Sequence, residues 1–208
     1  MNVESFVRAL LAESDQLPPV AALKEYVVAG NGLLVRAADS RMEALVPVAD
    51  AYLPGLAALQ PYARLRVPRI PAAWLISVYN GALFHLPSEV VYQFGYSAGA
   101  PDDLNTRGGW RCVRPVQDAD ALSAAFADLG QAVVDVHSHG HMDAFFSSTD
   151  DEDEAGLRFY VVVGHVGDDN APEIRCRVGV YGHHWPVPVE TIFDGLGPFL
   201  DVYDVDLA

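Results

Sequence analysis

The most constraining feature of this chain is a buried strand that ends in two histidines and is followed by the start of an acidic helix. The run 132–136, Ala-Val-Val-Asp-Val, predicts the strand, and His137 and His139 follow it two positions apart. Residues two apart on a strand point to the same side, so the two imidazoles can share one face of a sheet. The run 147–150, Ser-Ser-Thr-Asp, predicts a helix start that could bring Asp150 back to that face. The sequence therefore predicts that the end of one strand meets the beginning of one helix.

His137, His139 and Asp150 form a set of donors that suits a zinc ion. Imidazole nitrogen and carboxylate oxygen are common zinc ligands, and three protein ligands leave one coordination position open. A water molecule in that position has a strongly lowered pKa and becomes a nucleophile near neutral pH. The three residues therefore predict a catalytic zinc site rather than a structural one.

Simpler explanations exist for some of these residues. Ser147 with Asp150 is also a helix-capping pattern, in which the two side chains only satisfy free backbone N–H groups. The acidic run 151–154 is typical of a solvated helix face near an N-terminus, and no catalytic role is expected for it. The adjacent His183 and His184 point to opposite faces of a strand, which favours a packed or solvent-exposed pair over a metal site.

The spacing of the candidate ligands is specific: His-Ser-His, seven residues, Ser, two residues, Asp. It resembles the motif of the JAMM family of zinc metalloproteases, also called MPN+ or JAB. The resemblance extends over residues 71–180. It implies an α/β (α+β) fold with a mixed, largely antiparallel sheet flanked by helices, and Zn2+ as the cofactor.

The family also has a glutamate upstream of the histidines, and Glu89 is the natural match. It follows the helix-like run 71–84 and begins the strand-like run 89–94. By this resemblance, Glu89 would be the general base and Ser147 would help to hold the oxyanion of the reaction intermediate. From its position alone, Glu89 could equally be a surface glutamate at a strand start.

The chain departs from the family pattern in two places. Family members commonly have proline after the second histidine, whereas this chain has Gly140 and then His141. His141 could compete as a ligand or lie in a flexible loop. The usual glycine shortly after the glutamate is also missing. Neither change removes a candidate ligand, so the expected chemistry is retained while the substrate groove around Gly140 can differ.

Composition excludes some classes of partner and location. The chain has 28 acidic and 13 basic residues, a formal net charge of −15, and no cluster of Lys and Arg. Nucleic acid is not expected as a partner, because binding phosphates requires a basic face. No run approaches the roughly 18 apolar residues of a membrane helix, and no secretion signal is visible, so a cytoplasmic protein without a membrane partner is expected. Cys112 and Cys176 lack a C-x-x-C spacing and are expected to be reduced.

Three parts of the chain are predicted: a small N-terminal α+β module at 1–68, a zinc hydrolase domain at 69–189, and a C-terminal helix or tail at 190–208. The module is expected to contain a helix at 2–12, a hairpin of strands 24–29 and 33–37 around Gly-Asn-Gly, and a strand at 42–48. The elements expected in the hydrolase domain are a helix at 71–84, strands at 89–97 and 110–116, a helix at 118–129, a strand at 132–137, a helix from 148, and strands at 158–165 and 173–181.

The resemblance implies zinc-dependent hydrolysis of a peptide or isopeptide bond. The expected substrate is the C-terminal tail of a ubiquitin-like or sulfur-carrier-like protein, since an extended tail can pair with a sheet edge. Two alternatives stay open, a catalytically silent binding scaffold and a zinc hydrolase of small molecules or short peptides. The oligomeric state cannot be deduced from the sequence.

Overall fold

The structure is a computed structural model that describes residues 6–103, 105–119, 124–126 and 130–203. The first part is a five-stranded sheet whose strands follow chain order. Its strands are β1 (Val7–Leu11), β2 (Lys24–Ala29), β3 (Gly32–Ala38), β4 (Met42–Asp50) and β5 (Tyr62–Leu65). β1 runs parallel to β2, and the other neighbours are antiparallel. The predicted hairpin and the strand after it are confirmed.

The helix predicted at 2–12 is wrong over the described residues, because residues 7–11 form strand β1. The strand pairs along its whole length with residues 24–28 of β2. A short isolated helix is marginal in water, whereas this pairing satisfies the backbone groups through a ladder of hydrogen bonds. Residues 2–5 lie outside the described residues.

The rest of the chain contains a second, larger sheet and both described α-helices. In chain order its elements are α1 (Ala73–His85), β6 (Val91–Tyr96), β7 (Thr106–Arg107), β8 (Trp110–Val113), β9 (Gln117–Ala119), β10 (Ala124–Phe126), β11 (Val134–Ser138), α2 (Ser148–Asp153), β12 (Leu157–Gly164), β13 (Glu173–Val180), β14 (His184–Val187) and β15 (Leu200–Asp201). The large sheet has the order β14-β13-β12-β11-β6-β8-β7, with β15 beside β13, and β9 pairs with β10 separately. β11 and β12 are parallel, as are β13 and β15, and the remaining pairs are antiparallel. The expected mixed, largely antiparallel sheet is therefore confirmed.

The helix predicted at 118–129 is wrong over the described residues, and the helix alternative for 190–208 is not found in the described residues. Within the helix predicted at 118–129, the described residues belong to strands β9 and β10, which pair with each other; residues 120–123 and 127–129 lie outside the described residues. The described part of 190–208 has no α-helix, only a 3-10 helix at Val189–Thr191 and strand β15. Gly195, Gly197 and Pro198 follow that 3-10 helix, and glycine and proline both disfavour continued helix.

The larger of two apolar cores lies between the large sheet, helix α1 and the first sheet, and the smaller one lies within the first part of the chain. Strand β11 shows how its residues alternate: Val134 and Val136 are buried in the core, while Asp135 and His137 point to the opposite face. Residues of the first sheet that belong to the same core cluster are Val35, Ala37, Met42, Ala44 and Val46. The core therefore covers the inner face of the large sheet, whereas Asp135, His137 and Arg177 lie on its outer face.

The division of the chain at residue 68 stays a prediction, and the shared core gives it a test. Because apolar residues on both sides of the boundary pack in one cluster, a fragment that starts at residue 69 is expected to expose apolar surface and aggregate. Limited proteolysis checks this. A soluble C-terminal fragment that still binds zinc would support two separable domains.

Within the described ranges, no helix is both long and apolar enough to cross a membrane.

Candidate metal centre

The two histidines lie at one end of the parallel pair of strands in the large sheet. His137 is the next-to-last residue of β11 and pairs with Val162 of β12. His139 follows the strand, and its N–H donates a hydrogen bond of 2.8 Å to the carbonyl of Val163. His139 is 5% exposed. Backbone pairing with β12 therefore holds both imidazoles in place.

The three candidate ligands converge as the sequence predicted. The Nε2 atoms of His137 and His139 are 3.1 Å apart, and Nε2 of His137 is 3.4 Å from Oδ1 of Asp150. All three ligand atoms lie within 4.8 Å of one another. A tetrahedral zinc ion with ligands at about 2.0–2.1 Å holds its ligand atoms about 3.3 Å apart. The three residues thus fit zinc in both chemistry and spacing.

The local electrostatics favour the protonation states that bind metal. Burial lowers the pKa of His137 to about 4, against the opposing attraction of Asp150. Burial also lowers the pKa of His139. For Asp150, burial acts to raise the pKa, but His137 and the hydrogen bonds from Ser147 outweigh it and the net shift is downward. Neutral imidazoles beside an ionised carboxylate are the form that a metal ion requires.

Ser147 both caps α2 and holds the carboxylate of Asp150. Its backbone N–H and its hydroxyl both donate to Oδ2 of Asp150, at 2.6 and 2.7 Å, and its Oγ accepts from the Asp150 N–H at 3.2 Å. This reciprocal arrangement is a capping box. With Oδ2 occupied, Oδ1 is the oxygen directed at His137. The capping explanation and the metal explanation are therefore compatible, and an oxyanion role for Ser147 stays a prediction.

Glu89 is buried at the entrance to β6, with 7% of its surface exposed. The next residue, Val90, donates its N–H to Oγ of Ser138, and the N–H of Ser138 donates to the carbonyl of Val90, both at 3.1 Å. Ser138 stands between the two candidate histidine ligands in the chain. Burial argues against a simple surface glutamate, and the hydrogen bonds between Val90 and Ser138 hold the backbone next to Glu89 against the strand end that carries the histidines. Its role as a base stays a prediction.

The other histidines singled out from the sequence lie outside the described ligand cluster. His141 is exposed, and the three ligand atoms assemble without it. His183 accepts or donates a 2.9 Å hydrogen bond with the hydroxyl of Tyr26, while the ring of His184 packs edge-on against Tyr160. His183 and His184 therefore contact different parts of the protein, although His183 precedes strand β14 rather than lying in it.

Comparison with protein families gives a match for the segment that carries these residues. Residues 87–178 match the family described as prokaryotic homologs of the JAB domain. This segment belongs to the JAB domain family. The match includes Glu89, both histidines, Ser147 and Asp150, and no curated protein matches the chain. The JAB family contains metalloisopeptidases and also inactive members, so membership establishes the fold and a possible hydrolase or scaffold.

The JAB domain contains a further residue at the centre that the sequence interpretation missed. Arg177 of β13 donates to Oε2 of Glu154 at 2.6 Å and to Oδ1 of Asp151 at 2.5 Å. Its guanidinium also lies 3.9 Å from the ring centroid of Phe146. These partners flank Asp150 on both sides in the chain, and α2 itself has no buried residue. Arg177 therefore attaches this short helix to the outer face of the sheet.

Glu154 corrects the expectation that the whole run 151–154 is a solvated helix face. It is 7% exposed and belongs to the buried pair with Arg177. A carboxylate can be buried when an arginine lies opposite it. For Glu154 that arginine is Arg177, which belongs to a strand 23 residues later in the chain. The sequence contained one signal for such a charged contact, because Arg175 and Arg177 alternate with apolar residues that are buried on the same strand.

Replacing Arg177 with methionine is expected to weaken zinc binding about ten- to a hundredfold, because α2 would no longer hold Asp150 at a fixed position. Zinc affinity measured by competition with a chelating dye checks this. Arg111→Met, which removes an exposed arginine from β8, is the matched control and should bind zinc like the parent. Equal affinity of the Arg177 and Arg111 variants would show that Arg177 does not position the ligand.

Proposed function

We propose that the JAB domain of this chain is a zinc-dependent peptide or isopeptide hydrolase. The observation that carries this proposal is the convergence of two imidazole nitrogens and one carboxylate oxygen within 4.8 Å. Three such ligands leave a coordination position open, as in catalytic rather than structural sites. When bound, zinc would activate a water molecule and polarise the scissile carbonyl group.

The proton transfers are assigned to Glu89. A buried carboxylate beside the strand end can accept a proton from the attacking water and deliver it to the leaving amine. Ser147 is assigned first to the orientation of Asp150, which its backbone and hydroxyl hydrogen bonds support. To hold an oxyanion as well, its hydroxyl would have to turn away from Asp150 during the reaction.

The proposed substrate is an extended protein tail of the ubiquitin-like or sulfur-carrier-like type. Aromatic rings flank the candidate ligands: Phe145 lies 4.5 Å from His139 and Phe146 lies 6.5 Å from His137, between ring centroids. Phe145 is 40% exposed and can contact a peptide that crosses the centre.

The run from His137 to Gly140 and the run Phe-Phe-Ser-Ser-Thr-Asp at 145–150 resemble the JAMM-like protein A of the bacterial PRTRC gene cluster. That cluster is plasmid-associated and also encodes an enzyme similar to ubiquitin-activating proteins. An activating enzyme modifies the C-terminal tail of a ubiquitin-like protein, so the resemblance supports a tail as the substrate.

A cleavage assay on the zinc-loaded chain tests this function. The substrates are a ubiquitin-like and a sulfur-carrier-like protein, each extended at its C-terminus by a short peptide, and mass spectrometry locates the cut. Cleavage at the tail that requires zinc supports the proposal. Zinc-dependent tail binding without a cut would instead indicate a scaffold, and cleavage of short free peptides alone would indicate the small-substrate alternative.

A further inference from the structure

A second group of metal-ligating side chains lies outside the centre described above. Asp143 comes from the loop after His139, His165 from the end of β12, and Glu173 from the start of β13. Nε2 of His165 is 3.0 Å from Oδ1 of Asp143 and 3.9 Å from Oε1 of Glu173. One atom from each residue lies within 4.8 Å of the other two. Three separate segments thus bring one nitrogen and two oxygen donors to one place.

Two of the three donor atoms, those of His165 and Glu173, are oriented by contacts on their far sides. Nδ1 of His165 is 2.8 Å from Oδ2 of Asp168, so Nε2 is the ring atom left to face the other two ligands. Oε2 of Glu173 accepts the backbone N–H of Ala144 at 3.3 Å, which leaves Oε1 on the side of His165. A carboxylate behind a histidine ligand is the usual arrangement at protein metal sites, because it sets the tautomer and the ring orientation.

The backbone around this group is tightly packed. The N–H of His165 donates to the carbonyl of Met142 at 2.8 Å, and the N–H of Val166 donates to the carbonyl of Gly140 at 2.7 Å. At Gly164 a Cβ atom would lie 2.4 Å from the backbone nitrogen of Ala144, so only glycine allows the loop to approach so closely. The positions of His165 and Asp143 are therefore linked through the backbone as well as through their side chains.

The charges around His165 favour a cation. The carboxylates of Asp143, Asp168 and Glu173 all lie within 4.0 Å of its ring nitrogens. Even a protonated imidazole neutralises only one of these three negative charges, in a chain whose formal net charge is −15. A divalent ion would neutralise two, and imidazole with carboxylate donors suits a transition metal such as zinc or manganese.

We propose that Asp143, His165 and Glu173 form a second binding site for a divalent transition-metal ion, with Asp168 positioning the histidine. The site shares no residue with the candidate centre of the JAB domain. A bound ion joins the loop at 140–146 to the turn between β12 and β13. That loop leads from His139 to Ser147, so the ion stabilises the segment that connects two parts of the catalytic centre.

Zinc titration of the full chain by calorimetry, after removal of metal with a chelator, tests the second site. The parent is expected to bind two zinc ions. The Asp150→Asn variant is expected to retain the zinc ion at His165. His165→Asn is expected to lose that ion and keep the other; asparagine suits this position, because residue 165 has a φ of +52°. If only the proposal for the JAB centre is wrong, the parent should bind a single zinc ion. His165→Asn should abolish that binding, and Asp150→Asn should leave it unchanged.

A matched pair of variants separates a specific site from general attraction by negative charge. Asp168→Asn should weaken the second site about ten- to a hundredfold, whereas Asp169→Asn removes the same charge from the exposed neighbour and should leave binding unchanged. A parent that binds zinc only at the JAB centre, or a second ion retained in His165→Asn, overturns the proposal. In either case, His165 would act only as a charged partner of the surrounding carboxylates.

Discussion

His139→Ala is expected to lose the zinc ion of the JAB centre and hydrolytic activity together. The imidazole of His139 is buried, and its Nε2 lies 3.1 Å from that of His137, so alanine removes one of three donors and leaves no nearby group to replace it. Loss of a direct ligand should cost more than the roughly ten- to hundredfold that loss of a supporting contact costs in metal affinity. Zinc content by mass spectrometry and cleavage of a ubiquitin-like tail are measured on the same preparation.

His141→Ala is the matched control for this prediction. It removes a histidine from the same loop, but one that is exposed and lies outside the ligand cluster. This variant should keep the zinc content and activity of the parent. If His139→Ala bound as many zinc ions as the parent, with unchanged affinity, the ligand assignment would be contradicted. Loss of zinc in the control would make His141 a ligand.

Glu89→Gln is expected to retain zinc and to lose most of the hydrolytic activity. Glutamine keeps the size and polarity of the side chain but cannot accept a proton from the attacking water. Removal of a general base typically costs about a hundred- to ten-thousandfold in rate. Single-turnover cleavage at saturating zinc measures the chemical step, and zinc content is determined in parallel.

Glu152→Gln provides the control, because Glu152 is an exposed carboxylate on α2. It should cleave like the parent. If Glu89→Gln cleaves as fast as the parent, the base must be another carboxylate, and Asp135 is then the first to examine. Asp135 shares the outer face with His137, although its oxygens already bond with Gln93 at 3.1 Å and Arg158 at 2.5 Å.

Local signals in the sequence determined much of the architecture. The strand-like runs at 24–29 and 42–48 are confirmed as strands β2 and β4. Gly32 has a φ of +138°, and a Cβ there would lie 2.2 Å from the carbonyl oxygen of Ala49, so the hairpin turn depends on glycine. Where local propensity was wrong, at 7–11 and at β9 and β10, backbone pairing with another segment outweighed it.

The sequence by itself determined the candidate ligands of the JAB centre. The two-residue spacing of His137 and His139 sets a common face, and the capping box of Ser147 with Asp150 sets the direction of one carboxylate. Both relations span at most three residues, so local geometry is enough to predict them.

Only the tertiary structure decided how that centre is supported. Arg177 meets Glu154 across 23 residues, and His165 meets Glu173 only because β12 and β13 are antiparallel neighbours. Contacts of this kind depend on strand register, which places residues distant in sequence on one row of a sheet. Sequence spacing alone does not give the strand register. The contact of Arg177 with helix α2 and the proposed second metal site could therefore be found only in the folded chain.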